Sequence, residues 1–144
     1  MPAEKEAHVL ATELAGAAGG FLRRLRAASQ ADRFTPSQRS VLHRIDGGGP
    51  TTIADLARAE LVRPQSMRAT VGALEERGVL QRAPHPTDGR QVVLSLTDAG
   101  RAALADLRRA KHDWLAEALR TRLEPAERET LAEAAALLKR LTHE

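Results

Sequence analysis

Between Thr35 and Gly78 the chain opens three helices in quick succession, and each opening uses residues suited to little else. Thr35-Pro36-Ser37-Gln38 offers a hydroxyl at the N-cap, a proline at the first helical position and a glutamine at the third. Together they satisfy exposed backbone donors as a capping box. The helix that follows is predicted to run to about Asp46, where Gly47-Gly48-Gly49-Pro50 stops it. Glycine accepts positive φ there, and proline cannot continue a helix. Thr52-Ile53-Ala54-Asp55 reads as a second capping box, opening a short helix that ends near Glu60 with Ile53, Leu56 and Ala57 inward. After the turn Leu61-Val62-Arg63, Pro64 takes the first position of a further helix whose inward face is Met67, Val71 and Leu74, and Gly78 ends it.

The period then changes. Leu80 and Arg82, and later Gln91 to Leu96, read as two strands around the turn-rich tip Pro84-His85-Pro86-Thr87-Asp88-Gly89-Arg90. Thr97 and Asp98 cap a long helix expected to reach about Arg122, with Leu104, Leu107, Trp114, Leu115 and Leu119 on its apolar side. Pro125 restarts a last helix, whose apolar residues are Leu131, Ala134, Ala135, Leu138 and Leu141. At the other end, Leu10, Leu14, Ala17, Phe21 and Leu25 fall at steps of three or four from about Glu6 to Ala28. Both chain ends are therefore amphipathic helices, and an apolar stripe that outruns a small globular unit suits a partner chain.

Two short helices joined by a tight turn and followed by a two-stranded ribbon are the order of a winged helix-turn-helix, whose second short helix enters the major groove of DNA. The expected fold class is mainly α with a small β-hairpin wing, as one domain over 1–144. Residues 35–96 would form the DNA-binding lobe, and residues 1–30 and 97–144 a helical dimerisation region. The segment from Arg63 to Gly72 contains no acid, which leaves the first-turn N–H groups and the positive end of the helix dipole available to a phosphate. Opposite Met67, Val71 and Leu74 stand Gln65, Ser66, Arg68, Ala69, Gly72 and Ala73, a mix of hydrogen-bonding and small side chains that suits close approach to base edges. A charged, solvated helix face is the plain alternative. Arg90, beside Asp88 and Gly89 with Arg82 on the incoming strand, makes a basic finger fit for a narrow minor groove. An exposed hairpin held by a local Asp88–Arg90 pair would look the same.

Composition narrows the classes. With 144 residues, 2% aromatic and 42% hydrophobic, the core must be mainly Leu, Ala and Val, which favours helices. The 22 Lys and Arg against 19 Asp and Glu give a formal net charge of +3, and the pI is near 10.1. Such a balance suits a polyanionic partner, although Arg and Ala enrichment also follows genomic base composition. There is no cysteine, which removes disulfides, thiolate metal sites and thiol switches. No apolar run approaches a membrane span and the N-terminus is charged rather than signal-like, so the expected location is the cytoplasm, at the nucleoid. No glycine-rich phosphate loop or nucleophile elbow is present, and an enzyme or a bound cofactor is not expected. The five histidines, His8, His43, His85, His112 and His143, include no pair at i, i+4 spacing for a metal.

The run Leu74-Glu75-Glu76-Arg77-Gly78-Val79-Leu80, followed by Arg82, Pro84, Pro86, Asp88 and Arg90 and then Leu94-Ser95-Leu96-Thr97-Asp98-Ala99-Gly100, resembles the helix end, wing and next helix start of the MarR family of bacterial transcriptional regulators. The likeness extends over nearly the whole chain. It implies a two-fold homodimer on a pseudo-palindromic operator in double-stranded DNA, usually as a repressor and often released by a small aromatic or phenolic effector. By the same match Arg63, Pro64, Gln65, Ser66, Arg68, Arg82, Asp88 and Arg90 form the DNA-binding set, with Gln65, Ser66 and Arg68 toward bases and Asp88 orienting Arg90 into the minor groove. Two departures stand out: Ala69 occupies a position that is often basic, with the arginine one residue earlier, and Gly89 replaces a frequently basic wing residue.

The family's effector cleft directs attention to His43 and Arg44, either of which suits a carboxylate, although a lone His on such a helix also serves as a structural residue. Trp114 could line a pocket or anchor a dimer or core helix. A winged-helix module that binds protein instead of DNA is the competing function.

Overall fold

The computed structural model describes residues 2–29 and 33–143. Met1, Gln30 and Glu144, at the edges of the expected dimerisation segments, lie outside them. The chain forms α1 (Pro2–Ala28), α2 (Pro36–Gly48), α3 (Ile53–Glu60), α4 (Pro64–Glu76), β1 (Leu80–Pro84), β2 (Val92–Leu96), α5 (Asp98–Arg122) and α6 (Pro125–Thr142). Two compact units result, Ser29–Arg109 and the pair of segments Met1–Ala28 and Ala110–Glu144.

In the first unit the capping box at Thr35 forms as expected. Thr35 Oγ1 accepts the Gln38 N–H at 3.2 Å, and Gln38 Oε1 accepts the Thr35 N–H at 3.0 Å. The helix persists two residues beyond Asp46, through Gly48, before Gly49 turns at φ 76°. At Thr52 only half of the expected box is made. The hydroxyl accepts the Asp55 N–H at 3.1 Å, but the Asp55 carboxylate pairs with Arg58 instead of reaching back. Arg58, with Thr52 after it, holds the Asp55 carboxyl below its ordinary range.

The core of this unit draws on every element: Val41, Leu42 and Ile45 from α2, Leu56 and Ala57 from α3, and Met67, Val71 and Leu74 from α4. Val79, Leu80, Leu94 and Leu96 from the hairpin region and Ala103, Leu104 and Leu107 from α5 complete it with Phe34. Burying each leucine stabilises the unit by roughly 1.5–3 kcal/mol. Phe34 also carries the Arg77 guanidinium 4.1 Å above its ring centroid.

The strands pair antiparallel from Leu80 opposite Leu96 to Pro84 opposite Val92. Pro84 lacks an N–H and is tolerated at the end of an edge strand. The other edge of β2 is closed by Thr51, which exchanges two backbone bonds with Leu94 at 2.7 and 3.1 Å. Thr97 closes the hairpin onto α5: its Oγ1 accepts the Gly100 N–H at 3.0 Å and donates to Gly78 O.

In the second unit α1 and α6 contribute no buried residue. Leu10 is 61% exposed and Leu141 76%, and Phe21, Leu131 and Leu138 are also largely open, whereas Trp114, Leu115 and Leu119 on α5 are half-buried. The start of α6 is a capping box with Glu124 at the N-cap, Glu127 Oε2 accepting the Glu124 N–H at 2.7 Å.

Candidate nucleic-acid interface

The exposed face of α4 follows from its burial pattern. Met67, Val71 and Leu74 point into the core, so the 100° step between residues turns Gln65, Ser66, Arg68 and Ala69 to solvent. Arg63 is the N-cap but makes no side-chain cap bond, Pro64 follows at the first helical position, and no acid lies in the first turn. The N-terminal N–H groups of α4 therefore keep their positive potential.

Beside this face runs an open groove of about 740 Å³, bounded by Thr52, Ile53, Ala54, Asp55 and Arg58 of the α3 start, Pro64 and Arg68 of α4, and Arg82, Gln91 and Val92 of the hairpin. Its three arginines differ. Arg58 is paired with Asp55, and Arg82 is held by both carboxylate oxygens of Glu75, from 2.7 to 2.9 Å. Glu75 raises the Arg82 pKa further above its already high value. Arg68 has no carboxylate partner among the described residues. The sequence places Arg82 with the DNA-contacting residues; the structure commits its guanidinium to the α4–β1 joint.

At the hairpin tip the Arg90 side chain is 93% exposed. Asp88 Oδ1 accepts its backbone N–H at 3.1 Å and faces Nε at 3.4 Å. The side-chain contact is long and open to solvent, so it adds little to the backbone bond beside it. His85, which sequence reading left as one residue of the turn, organises the tip by accepting the N–H groups of Thr87 and Asp88 on Nδ1.

The two effector candidates, His43 and Arg44, are neighbours on α2, both exposed. Arg44 donates Nε to Glu60 Oε1 at 2.5 Å and Nη2 to Ala59 O at 3.1 Å, while Ser40 donates to the same Glu60 oxygen. Ser40 first and Arg44 second hold the Glu60 carboxyl below its ordinary value. Arg44 thus caps the end of α3, a role the sequence did not signal. Among the described residues, no group of three His, Asp or Glu is placed to hold a metal ion, and no helix is long and apolar enough to cross a membrane.

An HTH-type transcriptional regulator of Mycobacterium bovis is 39% identical over 135 residues, 94% of each chain. The family model described as MarR family matches residues 34–91, from Phe34 to the end of the hairpin tip. The chain belongs to the MarR family. This MarR-family protein is a DNA-binding transcriptional regulator with a winged helix-turn-helix, in which α3 and α4 are the two short helices and the β1–β2 hairpin is the wing. A crystal structure of a transcriptional regulator from Pseudomonas aeruginosa superposes with a TM-score of 0.80 at 36% identity, covering 92% of this chain and 94% of that one. The same fold, at 17% identity and a TM-score of 0.70, is seen in a mutant of MepR from S. aureus bound to an oligodeoxyribonucleotide, with 92% of this chain and 97% of that one covered.

Proposed function

We propose that this MarR-family protein is a non-enzymatic, homodimeric repressor that reads a pseudo-palindromic operator with Gln65, Ser66 and Arg68 of α4 while Arg90, oriented by Asp88, enters the adjacent minor groove. The observation that carries this reading is the contrast in partnering. Arg58 and Arg82 are held closely by carboxylates, whereas Arg68 has none among the described residues and Arg90, with Asp88 3.4 Å from its Nε, keeps 93% of its side chain exposed at the wing tip. Cations that are open to solvent and not held closely by a carboxylate are the ones best placed to replace counterions on a phosphate backbone. Arg63 and Pro64 set the start of α4 against the same backbone. The place of action is the cytoplasm, at the nucleoid.

The homodimer is supported by the open apolar stripes of α1 and α6, since large exposed aliphatic side chains at helical spacing are the mark of a helix-packing partner. A small aromatic or phenolic effector bearing a carboxylate would meet His43 and would compete with Glu60 for Arg44, loosening the tie between α2 and the end of α3. Titrating duplex DNA at increasing salt tests the central reading: affinity for a selected operator falls steeply as counterion release loses its advantage. A flat salt response would turn the winged helix into a protein-binding module instead. Light scattering at micromolar concentration is expected to give about twice 15.6 kDa, and the monomer mass would remove the two-fold operator.

A further inference from the structure

The tip of the wing is assembled around an imidazole. His85 Nδ1 receives the backbone N–H of Thr87 at 3.2 Å and that of Asp88 at 3.0 Å, with Thr87 Oγ1 3.2 Å from the same nitrogen. A backbone N–H only donates, so Nδ1 is the acceptor and the ring is neutral with its proton on Nε2. Asn and Asp side chains make this kind of bond where a turn begins; here a titratable ring makes it. The neck is closed by His85 N donating to Gln91 O and Gln91 N donating to Asp88 O, each at 3.0 Å. Asp88 in turn holds the Arg90 N–H and faces its Nε.

We propose that neutral His85 is a positioning residue for Arg90, acting through Asp88, and that a proton on its imidazole dismantles the tip and weakens operator binding. The inference rests on the reading of Arg90 as a groove contact. A proton on Nδ1 replaces a lone pair by an N–H aimed at two other N–H groups, and both lose their acceptor. The cationic ring regains a partner by drawing on the Asp88 carboxylate, which then no longer orients Arg90. The charged groups of the tip are Asp88, whose own N–H the ring receives, and Arg90, which Asp88 faces; the next ion pair along the hairpin is Glu75 with Arg82. A histidine serving merely as an extra surface charge would act in the opposite sense, because a new cation beside DNA tightens binding as pH falls.

The test uses the full-length protein and a duplex it selects from a randomised pool at about pH 8. Affinity is then followed at fixed ionic strength down to about pH 5.5, across the span in which imidazoles gain protons. Wild type is compared with His85→Asn, which keeps an acceptor that does not titrate, and with His85→Ala, which has none. Expected are a fall of about fivefold or more for wild type toward acid, loss of most of that slope in His85→Asn, and weakened binding at every pH in His85→Ala. In the DNA-free protein, the amide resonances of Thr87 and Asp88 should titrate together with the imidazole. Affinity that rises with acid, a slope retained by His85→Asn, or amides indifferent to pH would each overturn the proposal. Failure to enrich any duplex would count against the DNA-reading assignment instead, and the amide titration would still decide the role of the ring in the tip.

Discussion

Arg82 lies along the carboxylate of Glu75, its Nε 2.8 Å from Oε2 and its Nη2 2.7 Å from Oε1. The first strand of the wing is thereby tied to the last turn of α4. An arginine that stays in such a pair adds no net charge to the face that meets DNA. Arg82→Gln should therefore leave the slope of log affinity against log salt unchanged, while Glu75→Gln, which frees the guanidinium, should steepen it by about one counterion. A slope reduced by one in Arg82→Gln would return Arg82 to the phosphate-contacting set.

The division of labour between helix and wing predicts different losses. Arg90→Ala should weaken binding to many duplexes by a similar factor, whereas Gln65→Ala and Arg68→Ala should relax preference at particular base pairs, by roughly 1–3 kcal/mol each. Competitive selection on randomised duplexes reads both effects. Equal, sequence-blind losses from all three variants would refute the assignment.

Gly100 is required by packing. A Cβ there would lie 2.2 Å from Val79 O and 3.3 Å from Leu96 Cδ2, and the same Val79 carbonyl accepts the Thr97 N–H at 3.1 Å. Gly100→Ala is expected to destabilise the lobe by about 2–4 kcal/mol, since backbone rather than a flexible side chain must give way. Urea unfolding followed by circular dichroism measures this, and a midpoint equal to wild type would contradict the contact.

Leu61 offers the reverse case. It ends α3 at φ 56° and ψ 41° and is 92% exposed, so a bulky side chain occupies a left-handed conformation with almost no burial to offset it. Leu61→Asn should raise stability by about 0.5–1 kcal/mol. A loss on substitution would mean that the leucine makes a contact outside the single chain.

Glu60 carries a pH dependence whose sign is fixed by its partners. Ser40 and Arg44 lower its carboxyl pKa below 4.5, so the folded state binds that proton less readily than the unfolded chain does. Its contribution to stability is fully present above the unfolded value near 4.5 and is lost as pH falls through the lower folded value. Glu60→Gln should flatten the stability profile in that acid window relative to wild type, measured by urea titration at closely spaced pH. Identical profiles would remove Glu60 from the acid-sensitive groups.

Local signals carried the fold far. Thr35 with Gln38, and Thr97, start helices through bonds that span only a few residues, and Pro64 starts one through its own fixed φ, which is why local sequence alone exposed them. Asp55 shows where that reasoning stops: its distance from Thr52 suits a capping box, but Arg58 one turn on competes for the same carboxylate and takes it. The Glu124–Glu127 box was hidden by an uncommon N-cap residue. Within the interface, the exposed face of α4 was readable because Met67, Val71 and Leu74 define its opposite. The commitments of Arg82 and Arg44 were not, since Glu75 and Glu60 lie on other elements and come within reach only after the chain folds. The role of His85 depends on which ring nitrogen faces two N–H groups, and no periodicity encodes that.

Trp114, half-buried on α5 in the unit formed with α1 and α6, is the sole indole in a chain without tyrosine. Excitation near the red edge of protein absorbance therefore reports from one place only. Its emission wavelength and anisotropy follow events around Trp114, while circular dichroism registers the helices of the whole chain. Comparing the two signals during dilution or denaturation separates changes around Trp114 from loss of helix elsewhere, with no label attached.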